Sequence, residues 1–159
     1  MQVRAALPDD ADAMWTILRR TIAAGDTLPF DDGFDRAAFS AHWFTTQPAS
    51  VAVVDGRVGA MYKFGANFLG RGAHVASATY VVDPALQGRG IGRALVAHSI
   101  DAARGAGFTA MQFNYVVSTN LAAVALYRKL GFAVVGTLPR AFRHAALGLV
   151  DVYVMFRTL

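Results

Sequence analysis

Three glycines at alternate positions, Gly88, Gly90 and Gly92, stand where a β-branched run meets an Ala/Leu/Val-rich stretch. The segment reads Val81-Val82-Asp83-Pro84-Ala85-Leu86-Gln87-Gly88-Arg89-Gly90-Ile91-Gly92-Arg93-Ala94-Leu95. A strand, a glycine turn and a helix start together present a row of backbone N–H groups to an anion. Glycine lets the main chain approach a ligand closely and adopt dihedrals that a Cβ forbids. Arg89 and Arg93 add positive charge beside that anion. The chemistry indicated is the grip on a phosphorylated ligand. A Walker loop is excluded, because no Gly-Lys-Ser/Thr follows. A dinucleotide fingerprint is excluded as well: about 20 residues on, where a carboxylate would meet a ribose, the chain has Phe108 and Thr109.

A second constellation follows about thirty residues later, in Ser118-Thr119-Asn120-Leu121-Ala122-Ala123-Val124-Ala125-Leu126-Tyr127-Arg128-Lys129-Leu130-Gly131-Phe132. Ser118 or Thr119 is suited to cap a helix, the Ala/Leu/Val run favours one, and Gly131 is placed to end it. Taken with the first motif, this pattern resembles the GNAT superfamily of N-acetyltransferases. Gln87-Gly88-Arg89-Gly90-Ile91-Gly92 is similar to that family's Gln/Arg-x-x-Gly-x-Gly/Ala turn. Asn120-x-x-Ala123-x-x-Leu126-Tyr127-x-x-x-Gly131-Phe132 is similar to its second signature.

The resemblance implies an α/β fold, with a mixed, mostly antiparallel central sheet flanked by helices, over residues 1–159 as a single domain. It implies acetyl-CoA as cosubstrate and no metal. In that family the glycine turn, here Gln87 to Arg93, grips the pyrophosphate of acetyl-CoA. Backbone groups of Tyr80 and Val82 pair with the pantetheine arm like an added strand. Asn120 meets that arm, and Tyr127 stands near the sulfur as the acid for the leaving thiolate. Many members place a Glu on the central strand as general base. All eleven acidic residues here are Asp, so this chain has no Glu to offer. His74 and Asp26 are the side chains left for that role, with Ser77 and Thr79 placed to hold a water. The preferred reading is deprotonation through ordered water, or capture of an acceptor already neutral.

From Ala73 to Arg143 the chain also resembles N-acetyltransferases that act on proline analogues such as azetidine-2-carboxylate. The similarity runs through Phe113-Asn114-Tyr115-Val116-Val117-Ser118-Thr119-Asn120 and Val135-Gly136-Thr137-Leu138-Pro139-Arg140-Ala141-Phe142-Arg143. Asn114 matches a residue that orients the amino acid there, and Ser77 falls at a second matching position that differs. The expected acceptor-side residues are therefore Asp26, Ser77 and Asn114. Arg140, Arg143 and His144 form a basic cluster after Pro139, suited to a carboxylate, to the cofactor's 3′-phosphate or simply to solvent. Trp15 and Trp43 are expected to pack. The activity implied is transfer of an acetyl group to the amine of a small molecule or amino acid by direct attack in a ternary complex. Two other readings stay open: acetylation of a protein N-terminus or lysine, and a non-catalytic coenzyme A-binding regulatory domain.

Composition narrows the classes. With 55% apolar and 16% charged residues the chain is compact rather than disordered. The absence of Cys rules out disulfides and a thiol nucleophile. The net charge of +4 is scattered, without a basic run or interleaved aromatic stripe, so no nucleic acid is expected. No apolar stretch is long enough to span a membrane, and the N-terminus is unlike a signal peptide, which makes cytoplasm the default. The expected partner is the acceptor amine, with a homodimer held open.

The elements that must position these residues follow from periodicity and punctuation. Gln2 to Leu7 reads as a strand. Asp9 or Asp10 is suited to cap a helix through Met14, Trp15, Ile17, Leu18 and Ile22, and a loop over 25–33 leads to a second helix over 35–44. Ser50–Val54 and Arg57–Phe64 form a hairpin across Asp55-Gly56. Ala73–Val82 is the strand entering the glycine turn, followed by a helix to Ala106, a strand over 109–116 and the helix from Asn120. Phe132–Val135 and Val150–Phe156 are expected as closing strands.

Overall fold

The computed structural model describes residues 1–45 and 47–159. In chain order the elements are β1 (Gln2–Ala5), α1 (Ala11–Ala24), α2 (Arg36–Phe44), β2 (Ala49–Val54), β3 (Arg57–Ala66), β4 (Val75–Val82), α3 (Ile91–Gly105), β5 (Ala110–Val117), α4 (Leu121–Lys129), β6 (Ala133–His144) and β7 (Gly148–Thr158). The strands form one sheet in the order β1-β2-β3-β4-β5-β7-β6. Every junction is antiparallel except β4–β5, which is parallel. This is the mixed, mostly antiparallel sheet that the family resemblance implies.

Helices cover both faces. Met14 and Leu18 of α1 and Phe39 and Trp43 of α2 pack on Val51, Met61 and Val81. On the other face, Val96 and Ile100 of α3 and Val124 of α4 pack on Ala76, Met111, Phe113 and Met155. Successive strand residues alternate between faces, so Ala76, Ala78, Tyr80 and Val82 of β4 turn toward α3 and α4. Ser77 and Thr79 share the α1–α2 face with Val81.

Local chemistry sets the boundaries. Helix α1 ends at Gly25, whose φ of 62° is the left-handed conformation that glycine tolerates. Its expected cap, Asp10, makes no capping bond. The carboxylate instead takes a bidentate pair with Arg4 (2.6 and 2.9 Å) and the N–H of Leu7 (2.8 Å). The Arg4 bond, chiefly, holds the Asp10 carboxyl below its ordinary range. Its contribution to stability is therefore present above the usual carboxylate pKa and drains away as pH falls through the depressed value. Asp35 caps α2 by accepting from the Ala38 N–H at 2.9 Å. Asp55 and Gly56 both take positive φ, as a two-residue hairpin turn requires.

Two expectations are corrected. Helix α4 is capped by Asn120, whose side chain accepts from the Ala123 N–H at 3.2 Å, not by Ser118 or Thr119. Ser118 still follows the sheet, its N–H bonded to Asp151 O at 2.9 Å. The closing strands are also far longer than expected. The first was expected to stop at Val135, but β6 is an edge strand, where a proline such as Pro139 is tolerated, and it absorbs the irregularity as a register shift between Leu138 and Phe142. Arg140, Arg143 and His144 consequently belong to a hairpin strand rather than a loop.

Candidate functional site

The sheet divides at its middle. Strands β4 and β5 pair only through Val75–Ala110 and Ala76–Met111. Beyond those two pairs they part, leaving the facing edge of β4 without ladder partners from Ser77 to Val82. Buried main-chain groups seek partners, so this edge is a template for an extended ligand. Tyr80, Phe113 and Tyr127 gather on the helix side of the fork, with ring centroids 4.6 to 6.3 Å apart. The fork opens into a cleft of about 650 Å³.

One end of the cleft is the start of α3. Asp83 accepts from the Ala85 N–H at 3.0 Å and sets the turn. Leu86 is buried against Gly59, where any Cβ would fall 2.5 Å from its Cδ1. The chain then passes Gly88 (φ 78°) and Gly90 (φ 77°), and a Cβ built at either meets nothing within 4 Å. Gly90 is the N-cap and has no side chain to offer, so the first amides of α3 keep no capping partner. Open space, bare amides and the positive helix end together fit a phosphate. Gln87, Gly88, Gly90, Ile91, Gly92 and Arg93 all line this end. Arg89 does not. Its guanidinium turns to the β2–β3 hairpin and pairs with Asp55 at 3.0 Å.

Midway along, Tyr127 projects from α4 into the cleft, its ring 4.6 Å from Phe113. Burial pushes its phenol up to about 12, so it carries its proton throughout the neutral range and is equipped to donate it. The Tyr80 hydroxyl is committed elsewhere, in a 2.6 Å hydrogen bond with Ser99 Oγ. Only the backbone of Tyr80 remains for a ligand. The Oδ1 of Asn120 is likewise taken by the cap, which leaves its amide nitrogen.

The far end of the cleft is lined by Ser77, Asn114, Tyr115 and the loop after α1, including Asp26. Asp26 is its sole carboxylate. Asn114 sits in an amide cluster: its Nδ2 donates to Asn67 Oδ1 at 2.6 Å, and its Oδ1 accepts from Gln112 Nε2 at 2.7 Å. Over this end the α1–α2 loop meets the β6–β7 hairpin. The Ala145 N–H donates to Gly25 O at 2.9 Å, and a Cβ on Gly25 would lie 2.8 Å from Ala145 Cβ.

His74 lies outside the cleft, exposed and one residue before β4, where its carbonyl accepts from the Thr109 N–H. Arg140, Arg143 and His144 also fall outside it. Trp43 is fully buried and Trp15 packs on Phe39, as expected of core residues. The sequence reading missed Lys63, which is buried on the same face as Ser77 and Thr79. The signal was present: a lysine inside the apolar strand run Val58-Gly59-Ala60-Met61-Tyr62-Lys63-Phe64 is rarely buried without a purpose. Among the described residues no three His or Asp side chains come together as a metal site.

Comparison with known proteins follows the same lines. The profile of the acetyltransferase (GNAT) family matches residues 13–132. A GCN5-related N-acetyltransferase structure from Kribbella flavida superimposes with a TM-score of 0.95 at 42% identity, over 99% of this chain and 97% of that one. The structure of yncA from Salmonella typhimurium, solved with its cofactor acetyl-CoA, gives 0.85 at 27% identity, over 100% and 94%. The N-alpha-acetyltransferase RimI of Mycobacterium tuberculosis is 44% identical over 79 residues, 50% of this chain and 46% of that protein. The chain spans less than half the length of the curated relatives it matches.

Proposed function

The chain belongs to the acetyltransferase (GNAT) family, and from that premise we propose that it is an acetyl-CoA-dependent N-acetyltransferase whose acceptor is a small amine or amino acid. The observation that carries this is the fork. A single cleft runs from the bare amides of α3, along the unpaired edge of β4 and past the Tyr127 hydroxyl, to the polar end at Asp26, Ser77 and Asn114. Donor and acceptor therefore meet in one space, and no covalent enzyme intermediate is needed.

Acetyl-CoA, when bound, supplies the acetyl thioester. The amides at Gly88, Gly90, Ile91, Gly92 and Arg93 would hold its pyrophosphate, and the edge of β4 at Tyr80 and Val82, with Asn120, its extended arm. Tyr127 Oη keeps a proton ready for the leaving sulfur. Ser77 and Asn114 orient the acceptor, with Asp26 near by. Arg89 joins this set only if its pair with Asp55 opens. His74 does not line the cleft, which supports a water or a neutral acceptor in the role of base.

A second reading, acetylation of a peptide N-terminus, draws on the likeness to RimI over half of the chain. The contact between Gly25 and Ala145, which ties the loop that carries Asp26 to the β6–β7 hairpin, weighs against an open peptide groove there. A panel of amines, amino acids (proline analogues included), lysine peptides and free N-terminal peptides, scored by thiol release from acetyl-CoA, tests the choice. Turnover of small acceptors is expected. Turnover of peptides alone moves the assignment to the second reading. Tight acetyl-CoA binding without turnover of any acceptor leaves a coenzyme A-binding regulatory domain.

Two further outcomes follow. Asn114→Ala should raise the acceptor KM about 10-fold, by removing a hydrogen-bonding group worth roughly 1–1.5 kcal/mol, with acetyl-CoA affinity unchanged. The rate should climb with pH toward the acceptor's own pKa, around 8 for an α-amino group, and shift upward for more basic amines. Tyr127, protonated up to about pH 12, adds no falling limb in that range. A pH profile that is the same for every acceptor, and is lost in His74→Ala, would instead identify His74 as the base.

A further inference from the structure

Lys63 is one of two lysines in the chain and is only 6% exposed. Its ammonium lies over the Trp43 ring at 5.8 Å and donates to His42 O at 2.5 Å, in the last turn of α2. Among the described residues no carboxylate pairs with it. The contrast with Asp10, the other buried charge, is plain, since Asp10 has Arg4. An ammonium has three protons to donate, and a buried cation without an anion is costly. The strain shows in the Lys63 pKa, which burial lowers.

The lysine borders a pocket of about 190 Å³. His42, Gln47, Asn67, Ser77 and Thr79 line it with Lys63, and among the described residues no acidic one does. Ser77, Ala78 and Thr79 also line the main cleft, so the two cavities meet along β4. The register places Lys63 opposite Thr79 and Gly65 opposite Ser77. Cross-strand partners share a face, and this is the acceptor face, away from Tyr80 and α3. Gly65 makes room for the Gln47 side chain, since a Cβ there would lie 2.4 Å from Gln47 Nε2. The pocket thus combines a buried cation, two hydroxyls and two amides, next to the place where the acceptor is expected.

We infer that this pocket is a carboxylate subsite, so that the acceptor is an amino acid, held by Lys63 with Ser77 and Thr79 while its amine faces the cleft. The inference rests on the acetyltransferase reading and narrows its acceptor.

The test compares amino acids with their decarboxylated amines: proline with pyrrolidine, azetidine-2-carboxylate with azetidine, phenylalanine with phenethylamine. Each amino acid is also compared with its methyl ester. All are measured at saturating acetyl-CoA on the intact protein and on Lys63→Met and Lys63→Arg. The unmodified protein should favour at least one acid over both its amine and its ester by about 10- to 100-fold in kcat/KM, as a charge-assisted hydrogen bond implies. Lys63→Met should lose that preference through KM, with kcat for the amine unchanged, and Lys63→Arg should restore part of it. Equal turnover of acid, ester and amine by the unmodified protein overturns the subsite while leaving the enzyme assignment intact, and this arm does not depend on any variant folding. Loss of amine and acid turnover alike in Lys63→Met, with a lowered Tm, would show Lys63 to serve only the end of α2. Should no acceptor turn over, calorimetric titration of the amino acids into the acetyl-CoA-saturated protein decides, and absence of binding overturns the inference.

Discussion

Gly90→Val should weaken acetyl-CoA binding by on the order of 100-fold while leaving a folded protein. The position has room for the side chain, since nothing stands within 4 Å of a Cβ there. The obstacle is of another kind. A φ of 77° is a conformation that β-branched residues avoid at about 1–3 kcal/mol, so the turn relaxes away from the shape that aims its amides. The valine also fills the space a phosphate would occupy at the helix start. Because Gly90 is exposed and outside the core, the unliganded protein should stay folded, with Tm lowered only by that local strain. Calorimetric titration with acetyl-CoA measures the effect, and unchanged affinity would remove this turn from the binding site. Gly90→Ala, which fills less space but suffers the same dihedral, should fall between.

Tyr127→Phe should lower kcat about 100-fold, the scale of a lost general acid, and leave acetyl-CoA affinity unchanged. The ring keeps its packing on Phe113 and Phe132. The hydroxyl makes no hydrogen bond to another described residue, so its removal should not reduce Tm at neutral pH. The pH dependence of stability carries an independent sign. Folding favours the neutral phenol, whose pKa rises from 10.0 to about 12. Its contribution is thus complete below pH 10 and lost as pH climbs toward 12, and the phenylalanine variant should lack that part of the alkaline decline. An unchanged kcat, together with no effect of solvent viscosity on rate, would assign the proton to another group or to water.

Much of this was legible in the residues because the punctuation was local. Gly25, Asp35 and Asp55-Gly56 each fix a boundary by a dihedral or a cap that needs no distant partner, and the structure has them there. The glycine turn at the head of α3 was equally legible, since the structure gives Gly88 and Gly90 the positive φ that a glycine turn before a helix predicts. What local signals could not supply was competition. Asp10 looks like a cap until Arg4, on a neighbouring strand, takes its carboxylate. Arg89 looks like a phosphate ligand until Asp55, 34 positions away, pairs with it. Pro139 looks like the end of a strand until β6 proves to be the sheet's edge. Lys63 escaped for the same reason: its meaning comes from the pocket that β4 and α2 build around it, and no spacing along the chain encodes that.

The division between β4 and β5 has a mechanical consequence. The strands on either side, β1 to β4 and β5 to β7, share only two residue pairs within the sheet. Across the α1–α2 face they are fastened again where Asn114 meets Asn67 and where Gly25 meets Ala145. The molecule is in effect two plates joined by a short hinge at the base of the fork, by these two ties above it and by α3 and α4 packed across both. A ligand laid along β4 supplies the rungs that the sheet lacks, so the plates are most rigid when the cleft is filled and loosen when it empties.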